Sequence, residues 1–432
     1  MKKQPPHIDT RFEQFVQELP EDYQQQAYEF KAFTRARKIR SPLQLLQLVM
    51  LYCGLDFSLR SCAGEVAHLQ GYLSDTAVKR LAACVPWVKS LLSGVFGLHQ
   101  VVDSGSLSFV IIDGSTVQEP GATETTYRLH IAIDLISLTL RQVEVSTDKI
   151  GESLDHYVLE SGDVVLIDRG YNQPKSLVPF IDRGGDIVLR YNAHSMNLYA
   201  LDDHGKLIKI DWETKLQRLG KQAGAIPVYL CHDTKRIACT VHAVPLPAEK
   251  AAQARRKAKL RAQNKGRTAQ EKTLYLSEWV LILTSVPVEL LSTETAAALY
   301  RVRWQVELVI KRLKSLLAIN QLRARKDSQL AELYLQGKLL YAVVTEKIAQ
   351  RCFTKALTKM DGPRALTPWR LYKTIAEDIK SGLNACFPKQ ERFQRDYLKS
   401  VSERPRKRSL QSLPEPILGM IRQCRELGVS RV

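Results

Sequence analysis

Phe109-Val110-Ile111-Ile112-Asp113-Gly114 decides how this chain folds, because a second stretch repeats its logic: Val164-Val165-Leu166-Ile167-Asp168-Arg169-Gly170. Each is a four-residue apolar run rich in β-branched side chains, closed by an aspartate with glycine soon after. Runs without alternation mark strands buried on both faces, as in parallel sheets covered by helices. If the two strands lie parallel, Asp113 and Asp168 share one sheet edge, where open α/β sheets place ligands and reactive groups. Either aspartate taken alone reads as a strand-end cap or turn former.

A third acid comes from a helical pattern. Tyr300, Arg303, Glu307 and Lys314 follow the spacing Tyr-x2-Arg-x3-Glu-x6-Lys within one long predicted helix. At about 100° per residue they fall at roughly 0°, 300°, 340° and 320°, an arc about 60° wide. Leu299, Val302, Val306, Val309, Leu313 and Leu317 make the adjoining apolar stripe, so the polar arc borders a buried face. A carboxylate set among two cations and a phenol can hold a metal while its neighbours hold phosphate. Trp304, at about 40° on the same wheel, is placed either to stack on a displaced base or to pack in the core. Without the aspartates, the pattern also reads as an exposed helix laced with pairs such as Glu307 to Lys311.

Residues 1–105 are helical in pattern. Ser58 to Ala67 and Asp75 to Cys84 are two short predicted helices about a turn holding Gly71, with Ser74 capping the second. That outline is similar to a helix-turn-helix with Lys79 and Arg80 turned to DNA, and it serves plain packing as well. Over residues 106–192 the pattern becomes α/β. After the Asp113 strand, Leu129, Ile131, Ile133 and Leu135 alternate, a turn falls near Ser137, and a partner strand runs through Val143 and Val145. A helix over Glu152 to Leu159, the Asp168 strand, a helix over Ser176 to Ile181 and a strand at Ile187 to Leu189 follow. Asp134, His130 and Glu152 in this stretch read either as groups that lie near the aspartates and support them or, the reading preferred, as structural residues.

The span from Asp168 to Glu307 is too long for one connection, so residues 193–288 are an insertion. Its pieces read as strands: Leu198 to Leu201, Leu207 to Ile210, Ile226 to Cys231, Ile237 to Val244 and Trp279 to Leu283, with Asp203-His204-Gly205 as a hairpin turn. Within it, Ala248 to Lys272 is rich in basic residues, among them Arg255, Arg256, Lys257 and Lys259. This segment is either solvated or an arm for a DNA backbone. Residues 289–345 carry the Glu307 helix. Residues 346–432 are mostly helical, including Trp369 to Ser381, and hold a basic stretch from Arg404 to Arg408.

With 432 residues, 45% of them hydrophobic, the chain has material for two or three domains. Its formal charge of +18, from 63 Lys and Arg against 45 Asp and Glu, favours a polyanionic partner, nucleic acid ahead of an anionic membrane. The eight cysteines show no zinc-like spacing and suit a reducing cytosol. No apolar stretch follows Met1-Lys2-Lys3-Gln4-Pro5-Pro6, so the expectation is a cytoplasmic protein, nucleoid-associated when bound to DNA. Leu43 to Leu55 is too short to span a bilayer and reads as a buried helix. The lack of a Gly-x4-Gly-Lys loop argues against a nucleotide cofactor or motor.

Asp113-Gly114-Ser115-Thr116, Asp168-Arg169-Gly170-Tyr171 and the Tyr300 to Lys314 pattern together closely resemble the DDE transposases of insertion sequences. The four-residue helix signature resembles that of the insertion sequence four family. The likeness runs from about residue 107 to residue 345 and takes in Leu129 to Leu135 and Lys311 to Ser315, with Thr284-Ser285 where that pattern has Thr-Asn. It implies an α/β fold, a ribonuclease H-like catalytic core with a β-rich insertion, flanked by helical N-terminal and C-terminal regions. It implies Asp113, Asp168 and Glu307 as catalytic carboxylates and ligands of two Mg2+ ions, with Mn2+ able to substitute, and Tyr300, Arg303 and Lys314 as DNA contacts. The activity implied is metal-dependent cleavage and strand transfer on double-stranded DNA, at the element's terminal inverted repeats and its target. A homodimer would hold the two ends. Two further readings are a transposase-derived DNA-binding protein without catalysis and a metal-dependent nuclease without strand transfer.

Overall fold

The computed structural model describes residues 10–97, 108–135, 140–357 and 368–387. β1 (Ser108–Val117), β2 (Tyr127–Asp134) and β3 (Leu140–Thr147) form an antiparallel meander. The turn expected near Ser137 lies outside the described residues. β4 (Asp163–Ile167) pairs parallel with β1 on its other side, and β5 (Asp186–Arg190) pairs parallel with β4. Parallel neighbours need a crossover. Before β5 it is the helix Pro174–Asp182, with Pro174 in the first turn, where a missing N–H costs nothing.

Before β4 the crossover differs from expectation. In place of a helix over Glu152 to Leu159 there is one 3₁₀ turn, Leu154–His156. Gln142 on β3 accounts for this: its side chain donates to His156 O at 2.9 Å and accepts from Val158 N at 2.8 Å. Those backbone groups are held beside the strand and are not available to a helix ladder.

The insertion extends the same sheet. β6 (Tyr199–Leu201), β7 (Leu207–Lys209), β8 (Gly224–His232), β9 (Lys235–Pro245) and β10 (Trp279–Thr284) complete the order β3-β2-β1-β4-β5-β10-β9-β8-β6-β7. Because β10 pairs antiparallel with β5, these strands are bonded through to the first five. Gly205, at φ +74°, makes the β6–β7 turn and donates to Asp202 O at 3.0 Å. A helix absent from the sequence reading, Trp212–Leu219, buries Trp212 and Leu216 against the sheet. The basic segment is mainly the helix Ala248–Gln263, which buries no residue.

Strand alternation sorts the core. Ile111, Leu166, Val188 and Ile282 face one hydrophobic cluster, while Val110, Ile112, Val165 and Ile167 face the other. The first cluster is shared with Val306, Val309, Leu313 and Leu317 of the helix Gln305–Leu317. Asp113 and Asp168 continue the rows of Ile111 and Leu166, so the period of two aims both carboxylates toward that helix.

Helices from both ends of the chain join this first cluster. Pro42–Cys53 is buried along nearly its whole length, as its apolar run demands, and among the described residues no helix is long and apolar enough to cross a membrane. It meets the long helix Gln329–Leu357 closely: a Cβ on Gly337 would stand 2.6 Å from Cys53 Sγ. Arg312 and Glu346 form a buried ion pair between Gln305–Leu317 and Gln329–Leu357. Ser74 caps as predicted, accepting from Ala77 N at 3.1 Å, and Ser58 caps the helix before it, accepting from Ser61 N at 3.0 Å. The second piece of the expected helix-turn-helix is a single α turn, Asp75–Val78, continued by a 3₁₀ helix, Lys79–Cys84. Val78, Leu81 and Cys84 are buried at a spacing of three, which is the 3₁₀ repeat. The basic stretch from Arg404 to Arg408 lies outside the described residues.

Gly337→Ala is expected to cost about 1–3 kcal/mol, as overpacking does, and Cys53→Ala in the same chain to recover part of that loss, since the two side chains would compete for one space. Thermal melts of the two single variants and the pair measure this. Simple additivity would show that the helices do not meet there.

Candidate active site

The register of β1 on β4 runs from Ser108↔Asp163 to Ile111↔Leu166. Carried two residues beyond that ladder, the same register would set Asp113 opposite Asp168, one strand spacing, about 4.8 Å, across. β4 has ended by then, and Asp168 opens a 3₁₀ turn, Arg169–Tyr171, while β1 continues to Val117 against β2. Glu307 approaches from the covering helix, in the first turn of Gln305–Leu317.

The single helix expected over Tyr300 to Lys314 is two. Thr293–Val302 stops short of Arg303, and Gln305–Leu317 starts after Trp304. At the joint the bonds tighten to i→i−3: Arg303 N to Tyr300 O at 3.1 Å, Val306 N to Arg303 O at 3.2 Å and Glu307 N to Trp304 O at 3.0 Å. The wheel therefore fails across the joint, but relations within one turn survive it. Tyr300 Oη donates to Asp168 Oδ1 at 3.0 Å. Arg303 Nη1 donates to Asp113 Oδ2 at 3.2 Å, and Nη2 donates to Glu307 Oε1 at 2.6 Å. Lys314 lies about 10 Å further along the helix than Glu307, and its side chain makes no hydrogen bond or ion pair among the described residues.

Burial pushes the Asp113 carboxyl up; the Gly114 N–H, 2.8 Å from Oδ1, and the Arg303 charge oppose that, and Glu307 adds to it. Burial, with Asp168 beside it, holds the Tyr300 phenol well above its ordinary range, so it stays a donor. Arg190, at the end of β5, is pushed down to about 10 by burial and by Arg169, and it shares the Tyr300 ring with Arg303, each 6.0 Å from the ring centre. Glu152, expected to be structural, lies among these acids: burial and then the charge of Asp113 push it up, and Asp168 also reaches it.

All these acids offer carboxylate oxygens, the hard donors that suit Mg2+ or Mn2+, so the donor set fits a divalent ion. Among the described residues no three Asp, Glu, His or Cys side chains converge to enclose an ion as they stand. The Arg303 guanidinium lies between Asp113 and Glu307 and neutralises them.

Trp304 is 50% exposed, which removes the core-packing reading. It lines a cleft of about 710 Å³ with Arg190, Lys250, Tyr300, Arg301 and Arg303. Sequence reasoning counted Lys250 in the basic segment but missed Arg190, whose signal was its place at the carboxyl end of the third parallel strand. Lys79 lines a second cleft, of about 1180 Å³, with Arg323 and Arg325, and Arg80 is exposed next to it in the chain. Arg255 is engaged with Glu278 at 2.7 Å, whereas Arg256, Lys257 and Lys259 are exposed.

Residues 104–341, more than half of the chain, match the family described as Transposase DDE domain. The putative transposase InsL for insertion sequence element IS186A of Escherichia coli (strain K12) is 31% identical over 343 residues, which cover 77% of this chain and 91% of that protein. The transposase for insertion sequence element IS421 of Escherichia coli is 30% identical over 344 residues, again 77% and 91%. A cryo-EM structure of the piggyBac transposase synaptic complex with hairpin DNA aligns over 94% of this chain and 88% of that one at 11% identity. Its TM-score of 0.43 is below the level at which a shared fold follows. With more than half its length matched and relatives at this identity over most of both chains, the protein belongs to the transposase DDE domain family and is an insertion-sequence DNA transposase.

Proposed function

We propose that Asp113, Asp168 and Glu307 are the carboxylates with which this transposase cleaves double-stranded DNA at its element's inverted repeats and joins the freed 3′ ends to a target. The observation that carries the reading is the parallel register of β1 on β4, which brings Asp113 and the residue after β4, Asp168, to one edge of the sheet, with Arg303 joining Asp113 to Glu307. The order β3-β2-β1-β4-β5, with β1, β4 and β5 parallel, supports a ribonuclease H-like core. On this reading residues 106–192 and 289–345 are the core and 193–288 the insertion. Residues 1–105 and 346–432 are helical flanks, the first taking part in DNA binding. Two copies act together, since two element ends must be held.

The family implies a divalent metal and a DNA partner. Two Mg2+ ions, for which Mn2+ substitutes, would be held by the three carboxylates and supply charge neutralisation on the attacking and leaving oxygens. Arg303 then changes partner. Its fork neutralises Asp113 and Glu307 in the metal-free protein, and once that charge is balanced by metal the same fork suits a phosphate. Tyr300, protonated at neutral pH, orients Asp168 through its 3.0 Å bond. Exposed Trp304 is a platform for a base beside the scissile phosphate, and Arg190, Lys250 and Arg301 flank it with positive charge. Lys314, Lys79, Arg80 and the exposed cations Arg256, Lys257 and Lys259 meet backbone phosphates further out.

Glu307→Gln keeps the shape and removes one charge. Cleavage and joining of a labelled duplex carrying the element end, in Mg2+, are expected to vanish on the gel while duplex binding persists; near-wild-type cleavage would take Glu307 out of the site.

Arg303→Ala is expected to weaken DNA binding yet tighten Mn2+ binding by the DNA-free protein, because the competing cation is gone. Calorimetric titration measures the metal arm, and an unchanged affinity would rule out the exchange.

Replacing Arg256, Lys257 and Lys259 together with Gln should flatten the log-log salt dependence of DNA binding by up to roughly 0.9 for each phosphate no longer neutralised. Arg255→Gln, whose charge is already paired with Glu278, should leave the slope near wild type. An unchanged slope in the triple variant returns the helix to a solvated role.

A further inference from the structure

Gly114 follows Asp113 on β1 and Gly170 lies in the 3₁₀ turn that Asp168 opens, and neither has a positive φ. Conformational freedom therefore does not explain them; space does. A Cβ built on Gly170 would overlap Glu152 Oε2, and one on Gly114 would come 3.2 Å from Glu152 Oε1. Both glycines clear room for one and the same carboxylate.

That carboxylate is held in place from behind. Glu152 O accepts from Gln173 Nε2 at 2.8 Å, and the next residue, Ser153, caps the turn Leu154–His156. The half-buried carboxylate itself makes no hydrogen bond or ion pair among the described residues. The charges of Asp113 and Asp168 reach it, and Arg128 and Arg303 are the cations whose charges also reach it, at longer range than a bond. A half-buried anion beside two like charges, with no direct partner, is costly unless a cation joins them.

We infer that Glu152 is a fourth carboxylate of the divalent-cation site, seated against Asp113 and Asp168 by the space that Gly114 and Gly170 leave. The inference rests on the proposed role of those aspartates. Glu152 acts on the ion and through it on the reaction, as a positioning residue, and Gly170 matters because no side chain can share its place with the Glu152 carboxylate.

The test is Mn2+ binding by the full chain, followed by calorimetry and by the metal-induced rise in melting temperature, in wild type, Glu152→Gln, Gly170→Ala and Asp113→Asn. Glu152→Gln and Gly170→Ala are each expected to lower Mn2+ affinity by roughly 10- to 100-fold, the range seen when groups around a metal site are removed. The metal-free melting temperature of Glu152→Gln should be at or above wild type, because an unbalanced charge has gone; a merely structural glutamate would lower it. Wild-type Mn2+ affinity in Glu152→Gln, with the loss confined to Asp113→Asn, overturns the inference and leaves the aspartates' role intact. Undiminished affinity in Asp113→Asn, or no Mn2+ binding by wild type, overturns the role of the aspartates and this inference with it.

Discussion

The parallel ladder between β1 and β4 is the constraint on which the rest of the site depends. Antiparallel pairing would send the two aspartates to opposite ends of the sheet. A slip of one residue would turn Asp168 to the other face, among Val110 and Ile112. Complete burial holds the register, since every residue from Val164 to Ile167 is at 0% exposure and a slip would misplace all four. A polar pin adds to it at the strand's start: Arg141 on β3 grips Asp163 with two bonds, at 2.8 and 2.9 Å, and also donates to Ser108 Oγ on β1 at 3.3 Å. Three strands are thereby locked at one end so that the other end can present charge.

That charge is balanced internally by Arg303, and its two bonds are unequal in a way that distance alone misrepresents. The bond to Glu307 is shorter, but the Glu307 side chain is 58% exposed, whereas Asp113 is 21% exposed. An exposed pair is worth about 0–1 kcal/mol, and a partly buried one more, because water screens it less. The Glu307 bond is therefore the one that yields first, and the Asp113 bond is the one that sets how strongly the metal-free arrangement is held. Tyr300 plays the matching part for Asp168 without charge, since its phenol keeps its proton.

The aspartates were legible because short apolar runs rich in β-branched residues, each closed by an aspartate with glycine soon after, read as buried strands with marked ends. Glu307 was legible through its spacing to Arg303 and Tyr300, which a 3₁₀ joint leaves intact. Lys314 was placed by extending the wheel across that joint, where accumulated angle means least. The helix misread over Glu152 to Leu159 was lost to Gln142, a tertiary partner that no local periodicity announces. Glu152 was read as structural because it sits in an irregular stretch; the trace of its seat beside both aspartates was a pair of glycines in two different motifs, neither with a positive φ. The β strands of the insertion were recognisable one by one, but which strand each would pair with is not written in alternation, and the continuity of the sheet through β5 and β10 appeared only in the structure.

That continuity makes the insertion a cantilever. The basic helix Ala248–Gln263 is rooted between β9 and β10, where Leu246 N donates to Glu278 O at 2.8 Å and Arg255 clasps the Glu278 side chain. A tethered arm loses freedom each time it is laid on a partner, whereas one mounted on a bonded sheet has lost that freedom on folding. Its 16 residues extend about 24 Å, which fixes how far its charges stand from the sheet. Adding or deleting a turn would move its tip by about 5.4 Å relative to the strand ends while leaving the strands themselves where they are.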